Sequence, residues 1–78
     1  MKKYMVIEHF KTGCFEQVYK RFGDNGRMLP AGLGYLNSWV SKDKNICFQL
    51  METRDASLFD TWTKNWDDLV EFEIIPVE

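Results

Sequence analysis

One histidine, two cysteines and two prolines in 78 residues leave little material for several common chemistries. A zinc site needs about four ligands, and His9 with Cys14, Cys47 and scattered carboxylates falls short of that without a second subunit, so no metal is expected. Two cysteines are also too few for a disulfide scaffold, and both are expected to stay reduced. A marked excess of one charge sign is missing as well. Ten Lys and Arg against twelve Asp and Glu leave a net charge of −2, whereas nucleic-acid modules carry a basic excess. No apolar run approaches the roughly 18 residues of a spanning helix. Met1-Lys2-Lys3 is followed only by Tyr4-Met5-Val6-Ile7 before Glu8, too short for a signal-peptide core. Glycine-rich phosphate loops, nucleophile elbows and dinucleotide fingerprints are absent too. The expectation is a cytoplasmic protein with no cofactor that binds neither nucleic acid nor membrane.

Aromatic side chains are what the chain does carry: six Phe, three Tyr and three Trp. Leu, Ile, Val and Phe supply 21 of the 78 residues, above the roughly 20% below which chains stay disordered. A chain this short buries only about 60% of its unfolded surface, so the aromatic payload exceeds what a small one-sided core needs. Part of it is expected to serve a partner.

No linker, repeat or low-complexity stretch interrupts the sequence, which reads as one domain over residues 1–78. Lys3 to Phe10 is a strand leading into Lys11-Thr12-Gly13, with Thr12 as the expected N-cap of a helix. Phe15, Val18, Tyr19 and Phe22 then recur at helical spacing and form one apolar stripe, and the helix ends between Gly23 and Arg27. Leu33 to Val40 and Ile46 to Glu52 are strands joined by the polar loop Ser41–Asn45, a hairpin. Thr53 or Asp55 can cap a second helix with Leu58, Phe59, Trp62 and Trp66 on one face, ending near Asp67-Asp68. Val70 to Val77 alternates and closes the chain as a last strand. The order β-α-β-β-α-β is the split βαβ, or ferredoxin-like, α+β pattern: a four-stranded antiparallel sheet with two helices on one face. Phe15, Val18, Phe22, Phe48, Leu50, Phe59, Trp62, Phe72 and Ile74 are the expected core.

Alternation assigns Ile46, Phe48 and Leu50 to the helix-covered face, and Cys47, Gln49 and Met51 to the other, with Glu71, Glu73 and Ile75 beside them. That second face is too apolar to stand in water alone. A second copy of the chain is expected to cover it, leaving a partly polar cavity between two sheets.

Several blocks together resemble a known family: Glu8-His9-Phe10, Gly26-Arg27-Met28-Leu29-Pro30, Ser38-Trp39, Cys47 to Glu52, and Trp66 to Glu73 followed by Pro76-Val77. They are similar to the bacterial family catalogued as domain of unknown function 3303. The resemblance covers nearly the whole chain and implies a small α+β fold related to dimeric α/β-barrel proteins. That superfamily includes cofactor-free monooxygenases, isomerases, dehydratases and plain binding modules, and fold does not choose among them.

Candidate site residues follow from strand order. His9 is a candidate general base, since an imidazole titrates near neutral pH, although the commoner role of a lone His in this position is to hydrogen-bond the following loop; strand-one parity leaves Glu8 as the alternative cavity residue. Glu71, with Glu73, offers an acid–base pair of carboxylates, and edge-strand solubility explains both as well. Gln49 sits mid-strand, where a polar side chain needs a partner. Tyr35, Asn37 and Trp39 share a face of the second strand and suit a pocket wall or core packing. Arg27 is a candidate grip for a carboxylate or phosphate, and Cys47 adjoins the same strand end. Strand three, from Ile46 to Glu52, has no Lys or Arg, which sets aside the RNA-binding version of the fold. Two functions remain open: a homodimeric module binding a small apolar or mixed-polarity ligand, and a cofactor-independent enzyme of the proton-transfer, isomerase or monooxygenase type using the same cavity.

Overall fold

The computed structural model describes residues 1–77. Its elements are β1 (Lys2–Phe10), α1 (Phe15–Asn25), β2 (Leu33–Val40), β3 (Ile46–Thr53), α2 (Leu58–Thr63) and β4 (Val70–Val77). The strands form one antiparallel sheet in the order β2-β3-β1-β4. This is the ferredoxin-like βαββαβ arrangement, with β1 central and the last strand at an edge, where the missing N–H of Pro76 leaves no sheet bond unmade.

Local chemistry sets the boundaries. α1 starts at Phe15 with Cys14 as N-cap, later than Thr12, because Gly13 adopts a left-handed φ of 76° that a helix cannot contain. It ends where Gly26 (φ 67°) turns its N–H back to the Phe22 carbonyl at 2.7 Å. The hairpin loop is tied by Asp43, whose Oδ1 accepts from Ser41 Oγ at 2.7 Å and from the Asn45 N–H at 3.1 Å. α2 is short, with Ser57 rather than Thr53 or Asp55 at its N-cap. Turns carry the chain from there to Leu69 and keep Trp66 buried.

The core lies between the helices and one face of the sheet. Tyr4 and Val6 of β1, Met51 of β3 and Val70 of β4 pack there with Val18, Phe59, Trp62, Trp66 and Leu69. Tyr4 meets Phe59 edge-on at 5.0 Å between ring centroids, and Trp62 meets Phe72 at 5.5 Å. Phe72 and Ile74 pack against this cluster as the alternation of β4 requires.

Strand three is turned over relative to the sequence expectation. Cys47, Gln49, Met51 and Thr53 are buried beneath the helices, and Ile46, Phe48 and Leu50 lie on the open face, half-buried. The register explains this: Met51 pairs with Tyr4 and Gln49 with Val6, both helix-facing, whereas Phe48 pairs with Ile7. Phe48 and Leu50 are therefore not part of the helix-covered core. Strand two carries a second correction. A bulge between Tyr35 and Asn37 breaks the alternation, so Tyr35 pairs with Met51 on the helix side while Asn37 and Trp39 pair with Leu50 and Phe48 on the open side.

Candidate functional site

α1 stands off the sheet. Of its apolar stripe only Val18 is buried, while Tyr19 is 40% and Phe22 37% exposed. The space beneath is a cavity of about 240 Å³ within the single chain. Val18, Tyr19 and Phe22 of α1 roof it, and Phe10, Val40, Trp62 and Trp66 supply further apolar wall. Glu8, Cys47, Gln49, Ser38 and Arg27 bring the polar atoms.

These polar groups form a row across the floor. Arg27 Nε donates to Gln49 Oε1 at 3.4 Å, and Gln49 Nε2 donates in turn to Glu8 Oε2. Arg27 stacks its guanidinium over the Tyr35 ring, 3.6 Å from the centroid, and the Tyr35 hydroxyl shares a 2.7 Å hydrogen bond with Ser38 Oγ. The loop bearing Arg27 is pinned by two indoles, because its carbonyl accepts from Trp62 Nε1 at 2.9 Å and Trp66 Nε1 at 3.2 Å. Across the roof, Arg21 of α1 makes a bidentate pair with Asp68, 2.8 Å to each carboxylate oxygen, and donates to the Asn65 carbonyl. This clamp holds α1 over the cavity.

Electrostatics follow from burial. Glu8 is only 7% exposed. Desolvation pushes its pKa from 4.5 to about 7, against the opposing pull of the Gln49 hydrogen bond and the Arg27 charge. Glu8 can thus give or take a proton at neutral pH inside an apolar cavity. Cys47 is pushed up to about 12, first by burial and then by the Glu8 charge, and remains a thiol. Burial also raises Tyr19, with Cys47 and Glu8 adding to it, so its phenol stays protonated.

The candidate residues divide between the two faces of the sheet. Glu8, Arg27, Cys47 and Gln49 meet at the cavity, and Tyr35 backs Arg27. His9, Glu71, Glu73 and Trp39 are on the opposite, open face. There His9 Nε2 lies 2.7 Å from Glu73 Oε2, both side chains being exposed, and Glu71 stands across from His9 in the register. His9 and Glu71 therefore do not converge with Gln49 and Cys47, because adjacent residues of a strand point to opposite faces. Tyr19, Phe22, Ser38, Val40, Trp62 and Trp66 join the site only in three dimensions; their spacing in the sequence reads as helix or strand packing. No group of three or more His, Cys, Asp or Glu side chains is placed to hold a metal ion among the described residues.

Fold and cavity together define a small α+β domain with a polar-floored pocket beneath α1. Residues 2–78 match the model of the family described as domain of unknown function (DUF3303), and the chain belongs to that family. No curated protein and no solved structure gave a significant match.

Proposed function

We propose that the protein binds a small, mainly apolar molecule with one or two polar groups in the cavity beneath α1, and that it does so as a homodimer joined through the open face of its sheet. The row Arg27–Gln49–Glu8 on the floor of an otherwise apolar cavity carries the first part. Burying polar side chains is unfavourable, and apolar residues would make a more stable core at positions 8 and 49. Recognition, by contrast, needs a few polar groups among apolar walls. At about 240 Å³ the cavity is smaller than the ~300–1,000 Å³ of drug-sized sites, which limits the ligand to a fragment-sized molecule. The dimer reading is supported by Trp39 (50% exposed) and Ile75 (45%), which join half-buried Met5, Ile7, Phe48 and Leu50 on the open face. A patch of this kind is ordinarily covered.

A second reading, cofactor-independent proton transfer, is favoured by one observation: Glu8, titrating near 7, lines the cavity and meets the requirement for a general base at neutral pH. It moves the expected base from His9 to Glu8. Under that reading turnover would follow a group with a midpoint near 7, and Glu8→Gln would abolish it.

A thermal-shift screen of small aromatic and aliphatic acids, amides and amines tests binding. The expected result is a ligand-dependent rise in Tm for the wild type that Val40→Trp, plugging the cavity from its rim, removes while leaving the free protein folded. No rise with any compound, or a rise unaffected by Val40→Trp, contradicts the reading.

A further inference from the structure

Arg27 is held on several sides at once. Its carbonyl accepts from both indoles, its guanidinium lies 3.6 Å from the Tyr35 centroid and 5.0 Å from that of Phe22, and its Nε donates to Gln49. The next residue, Met28, takes a φ of 57°, a left-handed conformation that a non-glycine residue adopts only when its surroundings impose it. All these restraints act on the carbonyl, the flat face and Nε. The two terminal nitrogens, which carry four N–H donors, have no hydrogen-bond or ion-pair partner among the described residues.

A rigidly mounted guanidinium with its fork unengaged, lining an apolar cavity, is a grip for an oxyanion, and its planar donors match the two oxygens of a carboxylate. The rest of the cavity narrows the class. Glu8 shares the floor, one side chain away, so a doubly charged phosphate would meet a second acid, whereas a monoanion can share the Glu8 proton. The walls are rich in rings, with Phe10, Phe22, Trp62 and Trp66 among them, and these favour a planar aromatic body.

We propose that the occupant is a small aromatic carboxylate, its carboxylate on the Arg27 fork and the Glu8 carboxyl protonated beside it. The proposal rests on the cavity being a ligand site. Facing Glu8 are Arg27 from the loop, Gln49 and Cys47 from β3 and Tyr19 from α1; Phe72 of β4 and Trp62 of α2 bring no charge. Cys47 and Tyr19 stay neutral, so Arg27 is the fixed charge and an arriving anion is the new one. A negative charge placed next to Glu8 favours its protonated form, so binding takes up a proton. Above the Glu8 midpoint of about 7, affinity then falls by up to about tenfold per pH unit.

Calorimetry of the full chain with benzoate, benzamide and benzylamine, across neutral pH and in two buffers of different ionisation enthalpy, tests this. Benzoate is expected to bind about 10- to 100-fold more tightly than benzamide, the range for a charge-assisted hydrogen bond, to take up a proton, and to weaken as pH rises. Arg27→Gln should remove the preference for benzoate over benzamide. Glu8→Gln should keep benzoate binding but abolish proton uptake and flatten the pH dependence. Benzamide or benzylamine binding as well as benzoate, proton release, or a benzoate affinity indifferent to Arg27→Gln would overturn the proposal while leaving cavity binding intact. Failure of all three compounds to bind would overturn the proposal; cavity binding itself falls only if the thermal-shift screen of aliphatic and aromatic compounds is negative as well. Should Arg27→Gln not fold, the benzoate-to-benzamide ratio in the wild type and the Glu8→Gln titration still decide.

Discussion

Burial makes Glu8 a residue whose ionisation opposes folding. Its folded midpoint of about 7 lies above the ordinary 4.5, so the folded state holds a proton that the unfolded chain releases. The stability Glu8 contributes is complete below about pH 4.5 and is lost as pH rises through about 7. Glu8→Gln keeps the shape and an acceptor for Gln49 while removing the charge. Urea denaturation should show the variant matching the wild type in acid and exceeding it by about 3 kcal/mol at pH 8; a constant difference across this range would mean that Glu8 is solvated. Trp62→Phe should lower stability by about 2–3 kcal/mol, since it removes one donor to the Arg27 carbonyl and leaves a cavity where the buried indole packed, and should also weaken ligand binding because the arginine is less firmly placed. Gln49 was legible as a functional candidate from sequence because a polar residue amid Ile, Phe, Leu and Met needs a reason. The choice between Glu8 and His9 was not legible, since Tyr4 and Val6 are as apolar as Met5 and Ile7 and either set can face the helices.

Element order, the hairpin and the end of α1 could be read from alternation, helical spacing and the Gly and Asp signals there, whereas both helix starts and the end of α2, at Thr63 and not near Asp67-Asp68, could not. Faces could be read only where polarity separated them. In β4, Glu71 and Glu73 alternate with Val70, Phe72 and Ile74, and the structure keeps that division. In β3 both faces are apolar, and the set that looked more like core, Ile46, Phe48 and Leu50, lies on the open side, because the covered side must include the polar floor of a cavity. The bulge after Tyr35 left no mark in the sequence, and with it went the shared face of Tyr35 and Trp39. The apolar stripe of α1 was legible, but not that most of it roofs a cavity. These reversals have a thermodynamic consequence. Met51, fully buried, should cost about 2–5 kcal/mol when truncated to Ala. Phe48→Ala should cost the isolated chain distinctly less and act mainly on self-association; chemical denaturation at low protein concentration distinguishes the two, and a larger loss for Phe48→Ala would put β3 back in its sequence-expected orientation.

At the scale of the whole molecule the sheet separates a cavity on the helix side from an apolar surface on the other. If the open face joins two copies, light scattering should give about twice the 9.3 kDa chain mass. Replacing Trp39 and Ile75 by Asp should return it to one chain with the cavity intact, whereas a monomeric wild type would remove the dimer reading without touching the binding reading. Which side receives a ligand is the central point, and side-chain methyl groups report it because they project to one face only. In an NMR experiment recording nuclear Overhauser effects from a bound aromatic fragment, contacts are expected to the methyls of Val18 and Val40, which line the cavity. Contacts instead to Ile7, Leu50 and Ile75 would place the ligand on the open face and contradict the account.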